Sequence, residues 1–358
     1  MVALIGTSAV VVAGAGVGAI LLTNAHDHAK GSAAVAAVPL HVMSATPAAG
    51  SQGASGAAPI KLTLASSNPV KSLPVITPAV PGSWHQAGRT LTFTPADGFT
   101  PHTRVTVSGA GAKNTMWTDS FTTGGYSLLR LQQLLAELGY LPLSWAATDA
   151  RDTAGPDDAA AQLAAAYTPP AGDFTWDHGY PATLDYFWRP GQPNLITTGA
   201  IMAFESEHGM NLGETVTPAV WNAVLRAAAA QQTNKNGYTY AIASKATPET
   251  LTIWHDGRRV FSSYANTGIP VSPTADGTFP VYLRYYFQIM KGTNPDGSHY
   301  ADPVNFVAYF NGGDAVHYFP RYSYGWPQSL GCVELPYAAA EKAWPYLSYG
   351  SLVTVAPA

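Results

Sequence analysis

The sequence predicts a multidomain, mostly β protein, with a helical module between two β regions and an apolar segment at the N-terminus. The chain has 358 residues, which suffices for two or three domains with cores of their own. Apolar residues alternate over 60–124 and over 237–358, whereas they recur every three or four positions in parts of 125–232. Alternation is typical of strands and the longer spacing of helices. Each change of spacing therefore marks a domain boundary.

Residues 1–24 begin the chain with an apolar segment that carries no charge between Val2 and Thr23. About 20 apolar residues span the hydrocarbon core of a bilayer, and this segment is longer than the apolar core of a cleaved signal peptide. We therefore expect a transmembrane anchor, with a cleaved signal segment as the alternative. Both place the rest of the chain outside the cytoplasm, membrane-anchored or secreted.

Residues 25–59 consist mainly of Ala, Gly, Ser and Pro, which predicts a flexible linker. Over 60–124, short sets of apolar residues mark strands, and most of these sets are about a dozen residues apart. The sets are Leu62 and Leu64, Leu91 and Phe93, Val105 and Val107, and Trp117 and Phe121. This spacing is typical of a small β-sandwich. The segment from Asn68 through Trp84 to Phe121 resembles a bacterial Ig-like domain, which implies a spacer without chemistry of its own.

The region 125–232 has the signals of three helices. Leucines recur at helical spacing from Leu128, with Ser127 placed to cap and Gly139 placed to stop the helix. A second helix is expected from about Thr198 to Gly209. A third is expected to begin at Pro218 after the N-cap Thr217.

The sequences at 131–140, 203–210 and 217–225 resemble the three-helix peptidoglycan-binding-like module. This resemblance implies cell-wall glycan as a candidate partner. The chain departs from the module in an insertion at about 141–195, which is rich in Pro, Trp and Tyr.

Charge excludes some partners. Asp, Glu, Lys and Arg make up 11% of the residues and the net charge is -4, so no basic surface is expected for nucleic acid or anionic lipid.

The last region, 237–358, is predicted to be mostly β. Alternating runs at 238–242, 251–254 and 260–265 surround an Asp-Gly hairpin signal at 256–257, and later runs lie at 279–286, 306–310 and 352–355.

Cys332 is the only cysteine of the chain. Exported domains usually pair their cysteines, so an unpaired thiol there indicates a reactive group, with an inert buried thiol as the alternative. Acyl transfer by a thiol needs a base and donors for the oxyanion. His317 lies fifteen positions upstream, before a loop that contains Pro and Gly. An adjacent imidazolium would lower the pKa of the thiol, which predicts a partly ionised Cys332 at neutral pH.

His317, a loop, and then Ser329, Leu330, Gly331 and Cys332 resemble the active-site pattern of L,D-transpeptidases, the YkuD domain. The resemblance covers about 238–355 and includes the sequences at 266–269 and 273–280. It implies a YkuD-like β-sandwich in which Cys332 is the nucleophile and His317 the general base. Ser329 would order the loop, and Gly331 and Cys332 would lend amides to the oxyanion.

By the same resemblance, the carbonyl of Tyr318 would orient His317. The chain departs from the family at Leu330, where a second His is usual, and this removes a polar contact within the loop. Tyr282 and Arg321 are predicted to contact the peptide stem of the substrate.

The implied activity is the formation of peptidoglycan cross-links through a cysteine thioester, at the extracytoplasmic face of a bacterial cell envelope, with no cofactor and no metal. An L,D-carboxypeptidase and a non-catalytic cell-wall-binding protein are the alternatives. His299 and Asp302 would suit a zinc peptidase, but the sequence offers no third ligand at suitable spacing.

Overall fold

The computed structural model describes residues 36–96, 98–148 and 159–358. The anchor or signal segment predicted at 1–24 lies outside these residues. Within the described ranges, none of the helices is long and apolar enough to cross a membrane.

The N-terminal region is a β-sandwich of two antiparallel sheets. One sheet has the order β1-β2-β5-β4 and the other the order β3-β6-β7. The strands are β1 Val42–Thr46, β2 Ile60–Leu64, β3 Val75–Thr77, β4 Gly82–Ala87, β5 Thr90–Pro95, β6 Arg104–Ala110 and β7 Met116–Thr122. Alternate residues of β2 and β5, including Leu62 and Leu91, face Val105 and Phe121 in one core. Strand β1 lies inside the stretch predicted as a linker, because it pairs with β2, and this corrects that prediction for 42–46.

The helical module contains the three predicted helices. Its helices are α1 Leu128–Glu137, α2 Ala159–Tyr167, α3 Leu195–Glu207 and α4 Pro218–Ala229. Thr217 caps α4 by accepting a hydrogen bond from the Val220 amide at 3.3 Å. Helix α3 begins three residues before the predicted Thr198, because Asn194 caps it through the Thr197 amide at 2.9 Å. Ser127 occupies the N-cap position of α1 without a side-chain cap bond.

The insertion at 141–195 has a structure of its own. It contains α2, a 3-10 turn at Ala182–Phe187 and an antiparallel hairpin of β8 Leu143–Ala147 with β9 Gly172–Trp176. The hydroxyl of Tyr180, which follows the hairpin, donates to the Tyr238 carbonyl at 2.9 Å. The insertion therefore lies against the first residues of the C-terminal domain.

The C-terminal domain consists of two packed sheets and one short helix. Its elements are β10 Thr239–Ser244, β11 Thr250–His255, β12 Arg258–Tyr264, β13 Gly277–Pro280, β14 Leu283–Thr293, β15 His299–Asn311, β16 Asp314–Tyr318, β17 Val333–Leu335, α5 Tyr337–Ala343 and β18 Leu352–Ala356. The sheets have the orders β12-β11-β10-β18-β13 and β14-β15-β16-β17. Ile253 and Val353 of the first sheet and Ala308 and Val316 of the second belong to the core between them.

The run predicted at 279–286 is divided between the two sheets. The Val281 amide bonds to the Ser351 carbonyl, whereas the Tyr282 amide bonds to the Tyr309 carbonyl, both at 2.9 Å. The chain therefore leaves one sheet and enters the other between these two residues. Strand β15 also extends well before the predicted run at 306–310, and with β14 it forms a long hairpin.

A β-bulge lies opposite His317. Asn305 pairs with Tyr318 and Ala308 with Val316, so two residues of β15 face the single residue His317. One of them, Phe306, has a φ of +59°, a conformation that costs a non-glycine residue roughly 1–2 kcal/mol. Edge-to-face contacts of its buried ring with Tyr286 and Tyr337 hold it there, at centroid distances of 5.1 and 5.4 Å. Bulges next to active sites commonly redirect a side chain.

The helical module and the C-terminal domain share one hydrophobic core. Leu135 of α1 and Phe204 of α3 belong to the same buried cluster as Tyr240 of β10 and Leu352 of β18. The sandwich core, with Leu62, is a separate cluster.

We expect Leu135→Ala to destabilise the helical module and the C-terminal domain together by about 2–5 kcal/mol, because Leu135 is fully buried. Calorimetry should show both regions unfolding in one transition at a lower temperature. Leu62→Ala is the matched control and should lower the stability of the sandwich alone. Separate transitions for helices and C-terminal strands would contradict the shared core.

Candidate active site

A cleft of about 430 Å³ opens between the β14–β15 hairpin and the loop that leads to β17. His317 of β16 and Cys332, immediately before β17, both line it. Strands β16 and β17 are parallel neighbours, with Val316 paired to Val333. The parallel register therefore brings the predicted base and the predicted nucleophile to one cleft across fifteen residues of sequence.

His317 is buried, with 3% of its surface exposed. Its Nδ1 lies 2.9 Å from the Tyr318 carbonyl oxygen, the contact expected for Tyr318. A carbonyl can only accept, so Nδ1 carries the hydrogen and the lone pair lies on Nε2. Burial lowers the pKa of His317, an effect that the Tyr318 bond and the Glu334 carboxylate partly offset. The imidazole is therefore neutral near pH 7 and able to accept a proton.

Cys332 is a protonated thiol in the resting site. Its Sγ lies 3.6 Å from the Gly313 carbonyl oxygen, to which it donates. Burial raises the pKa of Cys332 to about 12; a hydrogen bond from the Ala315 amide opposes this shift, and the carboxylates of Asp314 and Glu334 add to it. The expectation of a partly ionised thiol is wrong, because a buried neutral imidazole supplies no positive charge. Ionisation of Cys332 thus requires proton transfer during the reaction.

The loop before Cys332 is held by its own polar groups. Ser329 is fully buried; its Oγ donates to the Cys332 carbonyl at 2.6 Å and accepts from the Gly331 amide at 3.2 Å. Gly331 has a φ of +122°, which favours glycine. The Gly331 amide is bonded inside the loop, in contrast to the predicted contact with an oxyanion. Donation of a hydrogen bond from the Cys332 amide to the oxyanion stays a prediction.

The segment 266–272 anchors this loop from the other sheet. The Thr267 carbonyl accepts from the amides of Gln328 and Ser329, and the Ile269 amide donates to the Ser329 carbonyl. Ser272 Oγ donates to the Leu330 carbonyl at 3.0 Å. The chain thus secures the backbone of Leu330, whose apolar side chain lines the cleft.

Glu249 holds Thr267 of that segment in place, and no pattern in the sequence indicated this role. Its carboxylate is fully buried and accepts from the Thr267 amide at 2.6 Å and from Thr267 Oγ1 at 2.7 Å. Glu249 therefore orients Thr267, which holds the Cys332 loop.

Arg321 and Tyr282 have structural partners. Arg321 lines the cleft, but its guanidinium makes two bonds with the Glu334 carboxylate, at 2.7 and 2.8 Å, and one with the Gln328 carbonyl. Tyr282 lies outside the residues that line the cleft, and its hydroxyl donates to the Gly312 carbonyl. This bond holds the turn before β16, and the predicted contact of Tyr282 with the substrate stays a prediction.

The cleft contains further residues that the sequence did not indicate. Asp314 lines its floor, and Gln288, Met290, Tyr300 and Tyr309 line the wall formed by the hairpin. Residues three apart on a strand point to opposite faces, so the spacing of Asp314 and His317 gave no reason to place them in one cleft.

The two residues considered for zinc lie on the hairpin. His299 Nδ1 is 3.2 Å from Thr293 Oγ1, and Asp302 lines the cleft. The described part of the chain contains no group of three His, Cys, Asp or Glu residues that could hold a metal ion.

Comparison with known proteins identifies the domain that carries the cleft. A family model described as the L,D-transpeptidase catalytic domain, YkuD, matches residues 238–355. A search of curated proteins gives no significant match.

Several solved structures are similar to the chain. An L,D-transpeptidase from Mycobacterium smegmatis is 16% identical, with 89% of this chain and 99% of that chain covered and a TM-score of 0.31. L,D-transpeptidase 3 from Mycobacterium tuberculosis, in complex with a faropenem-derived adduct, is 15% identical over 88% and 98% of the two chains, with a TM-score of 0.31. The catalytic domain of an E. faecium L,D-transpeptidase is 26% identical over 33% and 95%, with a TM-score of 0.30. All three TM-scores are below 0.5, so the domain assignment rests on the family match.

The neutral thiol and imidazole predict a distinctive pH dependence for alkylation of Cys332 by iodoacetamide. Because the pKa of His317 is lowered, the imidazole is fully neutral at pH 7. The alkylation rate should therefore fall only as the pH decreases below the ordinary histidine value of about 6.5. Because the pKa of Cys332 is raised to about 12, no inflection should occur near the ordinary thiol value of about 8.5. Mass spectrometry over pH 4 to 10 measures the rate.

His317→Gln should lower this alkylation rate by about 10²-fold or more, the usual contribution of a general base. A single rise centred near pH 8.5 in the unaltered protein would contradict the neutral pair.

Glu249→Ala should loosen the Cys332 loop and destabilise the protein by about 1–3 kcal/mol, because two buried Thr267 donors lose their acceptor. The alkylation rate of Cys332 should change as well, although Glu249 does not line the cleft. Glu341→Ala, at an exposed position of α5, is the control. Unchanged stability and rate in Glu249→Ala would show that the anchor is unimportant.

Proposed function

We propose that this chain is a cysteine-dependent enzyme that forms peptidoglycan cross-links, because residues 238–355 are an L,D-transpeptidase catalytic domain of the YkuD family. Such a domain acts on peptidoglycan and therefore belongs to the cell envelope. The observation that carries the cysteine mechanism is the neutral His317, with its lone pair on Nε2, in the same cleft as the only thiol of the chain.

In the first half-reaction, His317 takes the thiol proton as Sγ of Cys332 attacks the carbonyl carbon of the third residue of a tetrapeptide stem. Sγ forms a bond to that carbon, and the bond to the terminal D-Ala nitrogen breaks. His317 returns its proton to the leaving nitrogen. The thioester that results divides one difficult acyl transfer into two easier steps.

Burial has opposite effects on the two partners, and both effects suit this order of events. It keeps the thiol protonated and the imidazole neutral, so the proton moves to His317 only as Sγ attacks the carbonyl carbon. We assign the stabilisation of the oxyanion to the Cys332 amide, because the Gly331 amide is bonded to Ser329.

Leu330 does not by itself favour a non-catalytic wall-binding protein. The usual His would add a polar contact to the loop, but Ser329, Ser272 and Thr267 already bond to its backbone. The loop is therefore ordered without a His side chain at position 330. This supports a catalytic protein over a non-catalytic wall-binding protein.

In the second half-reaction, an amine of a neighbouring stem attacks the thioester and gives a cross-link. Water as the acceptor would give L,D-carboxypeptidase activity instead.

The other regions would position the catalytic domain at the wall. We propose that residues 1–24 anchor or export the chain, that the sandwich is an Ig-like spacer and that the helical module contacts the glycan. A surface groove of about 410 Å³, lined by His208, Met210, Asn222 and Arg226, offers polar and apolar groups for such a contact.

A carbapenem should form a covalent adduct on Cys332, detectable by intact-protein and peptide mass spectrometry. Cys332→Ala should form none. Leu330→His should change the acylation rate by less than about tenfold, because the backbone of the loop is already held by three side chains or carbonyls. Absence of an adduct on folded, reduced protein would refute the proposal, and loss of acylation on treatment with a chelator would favour a metal enzyme.

A further inference from the structure

Asp314 lies at the start of β16 and lines the same cleft as Cys332. Its Oδ2 accepts hydrogen bonds from the Ala275 amide and from Asn311 Nδ2, both at 3.3 Å. Within 36–96, 98–148 and 159–358, no donor bonds to Oδ1. One oxygen therefore fixes the carboxylate, and the other is available to a ligand.

The available oxygen is next to the nucleophile loop. A Cβ on Gly331, the residue before Cys332, would lie 2.5 Å from Asp314 Oδ1. Gly313, the residue before Asp314, accepts the bond from Cys332 Sγ. Asp314 Oδ1 thus lies close to both segments that surround the thiol.

Asp314 has no bonded cation among the residues that the structure describes. Burial raises the pKa of its carboxyl, and the bonds from Ala275 and Asn311 oppose this shift. The neighbouring carboxylate of Glu334 is paired with Arg321, and His317 is neutral. The Lys245 ammonium bonds to Asp276 at 2.6 Å. Its positive charge acts on Asp314 by electrostatic attraction, without a hydrogen bond.

This charge also acts against the nucleophile. The Asp314 carboxylate helps to raise the pKa of Cys332 and therefore opposes formation of the thiolate. The Asp314 charge therefore gives no help to the first half-reaction.

We propose that Asp314 Oδ1 binds the ammonium group of the acceptor stem and positions its nitrogen beside the thioester of Cys332. This inference rests on the proposed function. A carboxylate that is fixed through one oxygen and open at the other suits a cationic donor such as this ammonium group.

The step balances as follows. The bound ammonium releases one proton to solvent and becomes an amine, which stays hydrogen-bonded to Asp314. The amine nitrogen forms a bond to the thioester carbon, and the bond from that carbon to Sγ breaks. The second proton of the nitrogen passes to His317 and from there to the departing thiolate, so that the products are an amide and the resting thiol.

Asp314→Asn tests this role, because it removes the charge and keeps the size. A carbapenem measures acylation, and a tetrapeptide stem as donor and acceptor measures the ratio of cross-linked to hydrolysed product. We expect the ratio of cross-linked to hydrolysed product to fall about tenfold, mainly through the KM for the acceptor. Both products come from the same thioester, so a change in acylation alone does not alter this ratio. Aminolysis by hydroxylamine, which is neutral at pH 7.5, should be unchanged.

Asp185→Asn is the matched control, because Asp185 is exposed, outside the cleft lining and of equal charge; its product ratio should be unchanged. Asp314→Ser tests the same prediction should the Asn variant not fold. An unchanged product ratio in the Asp314 variants, or an equal fall with hydroxylamine and the stem amine, would overturn the role of Asp314 alone. Absence of a carbapenem adduct on the unaltered protein would instead overturn the proposed function.

Discussion

The parallel pairing of β16 with β17 is the constraint on which the site depends. It sets Val316 beside Val333 and so brings His317 and Cys332 to one cleft from opposite ends of a fifteen-residue connection. This pairing closes the loop between β16 and β17, and closing a loop reduces the conformational entropy of the chain. The Thr267 carbonyl accepts bonds from the Gln328 and Ser329 amides, and Glu249 orients Thr267. These bonds hold the end of the loop in place. Groups on one sheet thereby fix the nucleophile that adjoins the other.

Burial then determines the charge state of the pair. A low-dielectric setting disfavours both the thiolate and the imidazolium, and the Tyr318 carbonyl fixes the tautomer that leaves Nε2 free. The ion pair therefore belongs to the reaction path and not to the resting protein. Arg321 and Glu334 bond to each other next to the pair, so their opposite charges largely cancel there. Asp314, like Asp302 on the hairpin, lines the cleft without an ion pair among the described residues.

The sequence predicted those helix ends and turns that depend on residues adjacent in the chain. Thr217 and Pro218 predicted the start of α4, and the Asp-Gly pair at 256–257 predicted the turn between β11 and β12. The long β14–β15 hairpin was missed because the half-buried positions of its outer part are Gln288, Met290 and Gly292, so apolar residues do not alternate there in the sequence. Glu249, Asp314 and the partners of Tyr282 depend on contacts between distant segments, which no spacing along the chain encodes. Cys332 could be predicted as a reactive residue because it is the only cysteine in the sequence.

The shared core gives the helical module a fixed relation to the cleft. A Cβ on Gly350, before β18, would lie 2.0 Å from the Gly199 carbonyl oxygen of α3, so the two backbones approach as closely as glycine allows. Interfaces between mobile domains are usually smaller and more polar, whereas here Phe204 and Tyr240 belong to one buried cluster. A surface on the helical module that contacts the wall would therefore hold the cleft at a set position relative to it. The sandwich has a core of its own, but it also contacts this module, since the Tyr167 hydroxyl of α2 donates to the Phe99 carbonyl at 2.9 Å.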